Sequence, residues 1–175
     1  MKLQITASSN VGLVRTNNED MILVRNKYIR DEDYSAEIDM SVCDRLAVCV
    51  ADGMGGYEAG EVASQEGRSS LHFFLSDLPE KLNDQDFNEA IVEWLNSINN
   101  IINSKGKNDD AYRNMGTTLV GLLFYEGRAY WINCGDSRIY RFRNGALEQL
   151  STDHSFSALY GEQGHSSAIT TCIGA

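Results

Sequence analysis

Six consecutive apolar residues, Leu46-Ala47-Val48-Cys49-Val50-Ala51, run directly into Asp52-Gly53. An uninterrupted apolar run of this kind is expected of a strand covered on both faces. The chain must therefore place structure above and below that strand. Further strand-like segments surround it: Gln4 to Ser8, Met21 to Arg25, Leu119 to Phe124 and Ala129 to Cys134. Ile139 to Arg143 runs into Asn144-Gly145, a strong hairpin signal, and then into Ala146 to Leu150. Thr117 to Leu150 thus reads as an antiparallel meander. The polar, acidic stretch from Asn26 to Asp44 reads as a surface loop or ragged hairpin.

Two segments carry helical periodicity. In the first, Ala63, Gly67, Leu71, Phe74, Leu75 and Leu78 share a face, and Pro79 stops it. In the second, Asn83 or Asp84 can cap a stripe of Phe87, Ile91, Leu95, Ile98 and Ile102, with Lys105-Gly106-Lys107 at its end. Strands, two consecutive helices and hairpin-linked strands do not alternate as a parallel sheet requires. The order predicts an α+β layered fold, with helices covering antiparallel sheet.

The 175 residues suffice for one domain with a real core. No stretch approaches the roughly 18 apolar residues of a membrane span. Met1-Lys2-Leu3-Gln4 lacks a signal peptide's apolar run, so the expected location is cytoplasmic. Cys43, Cys49, Cys134 and Cys172 show neither C-x-x-C pairing nor zinc spacing, and read as thiols in a reducing compartment. A net charge of −10 argues against nucleic acid or an anionic membrane as partner.

That acidity is concentrated where strands begin or end. Glu19 and Asp20 precede Met21-Ile22-Leu23-Val24, Asp52 terminates Leu46 to Ala51, and Asp136 follows Tyr130 to Cys134. Carboxylates at strand ends can converge at the rim of a sheet layer. Hard cations such as Mg²⁺ or Mn²⁺ take oxygen ligands and retain several waters. Gly53 is a candidate carbonyl donor, because a glycine lets backbone approach an ion closely. Taken singly, each cluster reads equally as a turn or a solvated strand start. Arg15, four residues before Glu19, could offer its planar fork to a phosphate or stand as a surface charge. His72, His154 and His165 are titratable, with a structural or solvated role as the ordinary reading. Gly53-Met54-Gly55-Gly56 invites a nucleotide-loop reading. It fails because Glu58 occupies the third glycine position of G-x-G-x-x-G and no Lys-Ser/Thr pair follows.

Several motifs, in order and over most of the chain, resemble the type 2C, or PPM, protein serine/threonine phosphatases, bacterial branch. They are Arg15-Thr16-Asn17-Asn18-Glu19-Asp20, Val50-Ala51-Asp52-Gly53-Met54-Gly55-Gly56 with Ala59-Gly60-Glu61-Val62-Ala63-Ser64, Gly116-Thr117-Thr118, Asn133-Cys134-Gly135-Asp136-Ser137-Arg138 and Ser151-Thr152-Asp153-His154-Ser155. The resemblance implies two antiparallel sheets packed face to face and flanked by helices, an α-β-β-α sandwich. It implies hydrolysis of phosphoserine or phosphothreonine in proteins, with two Mg²⁺ or Mn²⁺ ions and a third position in bacterial members. Asp52 would bridge two ions, Glu19 and the Gly53 carbonyl would complete one of them, and Asp136 would join the third. Asp20 would orient the attacking water and Arg15 would hold the substrate phosphate. Phosphoproteins, and a cognate kinase that makes them, are the partners implied.

The departures are specific. The family's two further metal aspartates do not follow Ile169 to Ala175, and the segment from about Phe156 to Ser167 is short for the family's flap. Met54 stands where some members carry a histidine acid. The expectation is a single phosphatase-like domain over residues 1–175, C-terminally truncated. The alternative is a catalytically impaired module that binds phosphoprotein or regulates a partner.

Overall fold

One long strand organises the molecule. In the computed structural model, which describes residues 1–55, 62–63, 71–161 and 168–174, the apolar run lies within β5 (Arg45–Met54). Ala47, Cys49 and Ala51 enter one hydrophobic cluster, whereas Leu46 and Val48 enter another. The strand is therefore buried on both faces by simple alternation of side chains.

Six strands form the main sheet, in the order β3 (Lys27–Ile29), β2 (Asp20–Val24), β5, β7 (Leu119–Tyr125) and β8 (Arg128–Cys134), with β6 (Gly116–Thr117) on the end of β5. Every neighbouring pair is antiparallel. On one face lie α1 (residues 71–77) and α2 (Asp84–Asn108), whose Leu71, Leu75, Phe87, Trp94, Ile98 and Ile102 meet Leu23, Leu119, Leu123 and Tyr125. On the other face lies a two-stranded ribbon of β1 (Lys2–Ser8) and β4 (Asp33–Asp39). Its Ile38, with Leu3, Ile5 and Ala36, closes over Val24, Leu46, Val48 and Phe124. The α+β sandwich of antiparallel sheets is thus observed. Among the described residues, no helix is long and apolar enough to cross a membrane.

Four local expectations are corrected. The stretch 26–44 is neither a loop nor a hairpin: it supplies β3, which pairs with β2, and β4, which pairs with β1 over the whole length from Lys2↔Asp39 to Ser8↔Asp33. Its polar residues sit on the outward side of the ribbon, alternating with Tyr34, Ala36 and Ile38, which diluted the apolar signal. The meander also breaks after β8, because β9 (Tyr140–Arg143) and β10 (Ala146–Gln149) pair only with each other. In α2 the buried face is centred on Trp94, with Ile91 and Leu95 only partly buried beside it. Asn83 is the cap, its side chain accepting from the Asp86 N–H, and the helix continues through Gly106 to Asn108. A side chain at 106 would meet the Tyr112 carbonyl at 2.8 Å, so this glycine admits the following turn instead of ending the helix.

The two helices are fastened to the sheet by one basic and aromatic group. Arg45 Nη1 donates to the carbonyls of Leu75, Ser76 and Leu78, covering acceptors that the end of α1 leaves open. Its guanidinium lies 5.3 Å from the Tyr125 ring centre. The Tyr125 hydroxyl donates to the Pro79 carbonyl at 2.5 Å and accepts the Leu82 N–H at 3.1 Å. The first expected helix is helical at residues 62–63 and 71–77. The rest of it, the glycine-rich segment from Gly56 to Glu61 and His165 lie outside the described residues.

Candidate metal centre

The acidic positions come together where β2 and β5 lie side by side. Asp20 opens β2 and pairs directly with Asp52, so both side chains leave the same face of the sheet. Asp52 does not end its strand as the sequence predicts. β5 continues through Gly53 to Met54 because β6 pairs with that extension, Gly53↔Thr117 and Met54↔Gly116. Asp-Gly is here part of a ladder and not a turn. The Gly53 N–H donates to the Glu19 carbonyl at 3.3 Å, which places Glu19 beside the same strand end.

Arg15, Glu19, Asp20, Asp52 and Gly53 line one open cleft of about 250 Å³, together with Asn10, Val11, Asn17 and Asn18. Five of the six expected site residues thus share a cavity. Asp136 is absent from its lining, and sits in the turn after β8. It is nonetheless close enough to act on Asp52. Burial, then the negative charges of Asp20, Asp136 and Glu19, push the Asp52 carboxyl up to about 6. Among the described residues, no three acidic, histidine or cysteine side chains are already grouped closely enough to hold one ion between them. The carboxylates act on one another through their charges while remaining an open set. An open oxygen-rich set suits a hard cation that keeps waters, and its uncompensated charge calls for one.

A buried hydroxyl joins the two halves of the site. Thr118 accepts the Asp52 N–H on Oγ1 at 3.1 Å, and the same Oγ1 lies 2.8 Å from Ser137 Oγ, next to Asp136. The Thr118 N–H donates to the Asp52 carbonyl at 2.9 Å. Gly135 has φ +113°, and a side chain there would meet Thr118 Cγ2 at 2.6 Å, so only glycine lets this turn close. The turn is held from outside too. Arg138 makes a forked contact to Asp153, and that bond keeps the Asp153 carboxyl below its ordinary value. His154 Nδ1 accepts the Gly135 N–H at 3.2 Å, the structural role that a loop histidine ordinarily has.

Thr118, Ser137 and Asn18 stand within the motifs, but the sequence assigns them no role of their own. The adjacency of Gly116-Thr117-Thr118 to an apolar run was the only signal, and it does not reveal what a hydroxyl will meet across a sheet. No disulfide joins any of the four cysteines, and burial raises the Cys134 thiol to about 11, consistent with unreactive packing.

The model of the protein phosphatase 2C family matches residues 26–172. Protein phosphatase PhpP of Streptococcus pneumoniae is 33% identical over 154 residues, which are 87% of this chain and 56% of PhpP. The chain therefore spans little more than half of that relative. The solved serine/threonine phosphatase of S. agalactiae superposes with a TM-score of 0.79 at 22% identity, covering 100% of this chain and 70% of that one. The catalytic domain of the phosphatase PstP, solved with two manganese ions, gives 0.69 at 28% identity, covering 98% and 66%. With its sheet order, its converging strand-end carboxylates and these matches, the chain belongs to the protein phosphatase 2C family.

Proposed function

We propose that the chain acts in the metal-dependent hydrolysis of phosphoserine and phosphothreonine in proteins, the products of a serine/threonine kinase. The observation that carries this reading is the convergence of Glu19, Asp20, Asp52 and the Gly53 backbone in one cleft with Arg15 on its wall. Asp52, Glu19 and the Gly53 carbonyl would hold Mg²⁺ or Mn²⁺, and Asp136 would add a donor from the neighbouring turn. Bound there, such ions supply the Lewis acidity that makes a nucleophile of water at neutral pH and steadies in-line displacement at phosphorus.

The chain's own side chains do the rest. Arg15 presents a planar, permanently charged fork to two oxygens of the phosphate. Asp20, exposed at the start of β2, accepts a hydrogen bond from the attacking water and aims it. Met54 has no proton to give, so the departing serine or threonine oxygen takes its proton from solvent. Manganese in the PstP structure supports the choice of ion.

The test is Mn²⁺-dependent release of phosphate from a phosphothreonine peptide, measured for this chain and for Asp52→Asn. Release that depends on Mn²⁺ and is lost in the variant is the expected result. No release, with retention of the phosphopeptide, would favour the second reading, a phosphoprotein-binding module without turnover. That second reading is favoured by one observation: among the described residues, no three acidic, histidine or cysteine side chains are grouped to hold an ion.

A further inference from the structure

Immediately before Glu19 stands a side chain that none of the chemistry above uses. Asn18 is only 6% exposed, the sole asparagine among the buried polar residues described. Its Nδ2 donates to Ser9 Oγ at 2.9 Å and to Asp31 Oδ1 at 2.8 Å, and its Oδ1 accepts the Asp20 N–H at 3.1 Å. The partners fix which end of the amide is which. A backbone N–H can only donate and a carboxylate can only accept, so neither contact survives a flip.

Those three partners come from three separate parts of the chain. Ser9 follows β1, Asp31 lies in the turn between β3 and β4, and Asp20 opens β2. The Ser9 N–H also donates to the Glu32 carbonyl at 3.2 Å, so ribbon and turn are already joined there. Asp31 itself has φ +53°, a left-handed turn position that brings its carboxylate round toward Asn18. One amide thus ties the β1–β4 ribbon to the backbone that launches Glu19 and Asp20. Across the cleft that same backbone is held by Asp52 and Gly53.

We propose that Asn18 is a positioning residue for cation binding: it fixes the Glu19–Asp20 backbone against Asp52 before any ion arrives. This rests on the reading that these carboxylates hold a divalent cation. An aspartate at 18 would set its charge against Asp31, and a leucine would fill the space but release the Asp20 N–H and Asp31 to solvent. Neither replaces the amide. Partners that orient metal ligands from outside typically change metal affinity about 10- to 100-fold when removed.

The experiment is Mn²⁺ titration of the 175-residue chain, followed by loss of the spectrum of free Mn²⁺ in electron paramagnetic resonance. Asn18→Leu, Ser9→Ala and Asp31→Ala are compared with the unmodified chain, with thermal melting in chelator to record folding. Expected is binding about 10- to 100-fold weaker in Asn18→Leu, and smaller losses in Ser9→Ala and Asp31→Ala, each while folded. A purely structural role would lower melting temperatures and leave the affinity of folded protein unchanged, which overturns the proposal. Should Asn18→Leu fail to fold, unchanged affinity in both other variants overturns it equally. No Mn²⁺ binding by the unmodified chain overturns the cation reading, and this proposal with it. That outcome is distinct from equal binding by every variant.

Discussion

Asp20 and Asp52 face each other directly across the β2–β5 ladder, two carboxylates on one face of an antiparallel pair. Like charges at directly opposite positions oppose folding. Burial, followed by Asp20, Asp136 and Glu19, raises the Asp52 carboxyl from 3.8 to about 6. The folded state therefore prefers the protonated form.

The sign of the pH dependence follows. Below about pH 4 Asp52 is protonated whether folded or not, and it adds no penalty. From about pH 4 to about pH 6 the penalty develops, and above that it is complete. At 1.36 kcal/mol per unit the shift is worth about 3 kcal/mol, which solvent screening of a half-buried carboxylate reduces to on the order of 1 kcal/mol. Asp52→Asn in chelator should raise urea stability by that amount at neutral pH, and the gain should vanish near about pH 4. Added Mn²⁺ should stabilise the unmodified chain and not the variant. Equal stability gains at both pH values would show that Asp52 is not held among these charges.

Thr118 gives a second prediction. Thr118→Val keeps the shape and removes the hydroxyl, leaving the Asp52 N–H and the Ser137 hydroxyl without their partner. The expected loss is about 1–3 kcal/mol of unfolding free energy, read by urea denaturation. Thr118→Ser retains the oxygen and should recover most of it. A loss in Thr118→Ser with none in Thr118→Val would assign the effect to the methyl group instead.

Gly121 lies opposite Cys49 in the ladder between β5 and β7. A side chain there would come within 2.4 Å of Cys49 Cβ and 2.6 Å of the Val48 carbonyl. Gly121→Ala should therefore force the two central strands apart and cost about 1–3 kcal/mol or more. Amide exchange along β5 would record it, with faster exchange at Val48 and Cys49 than elsewhere in the sheet.

Phe87 is 1% exposed and stacks on Tyr130 with ring centres 4.1 Å apart, at the point where α2 meets the sheet. Phe87→Ala should cost about 3–5 kcal/mol, the usual range for deleting a buried ring. Val92, on the same helix but 55% exposed, is the control: Val92→Ala should change stability by less than about 0.5 kcal/mol.

How much of this was legible beforehand depends on whether a residue's partner is near in sequence or brought near by the fold. The strand at Leu46 to Ala51, the Asn144-Gly145 hairpin and the helix beginning at Asn83 are written in local pattern, and all were readable. β4 was not, because Asp33, Ser35, Glu37 and Asp39 face outward and its apolar residues pair with β1, a ribbon invisible from one segment alone. The carboxylates of the cleft were legible as strand-end acids and, more sharply, as members of a motif set. The extension of β5 past Asp52 was not, since it depends on β6, some 60 residues on, as Gly53↔Thr117 shows. For the same reason nothing near Asn18 in sequence announces Ser9 and Asp31 as its partners.

The central position of β5 has a kinetic consequence. Its pairings join Val24 to Val48 on one side and Arg45 to Tyr125 on the other, across the whole stretch that contains both helices. Closing the second of these requires an ordered loop of many residues before any contact rewards it. The helices, stabilised by near-neighbour contacts, are free to form early, whereas the acidic cleft exists only after β5 has both neighbours. A cation that binds the folded cleft would thus act after the slow step, slowing the unfolding of the molecule without hastening its folding.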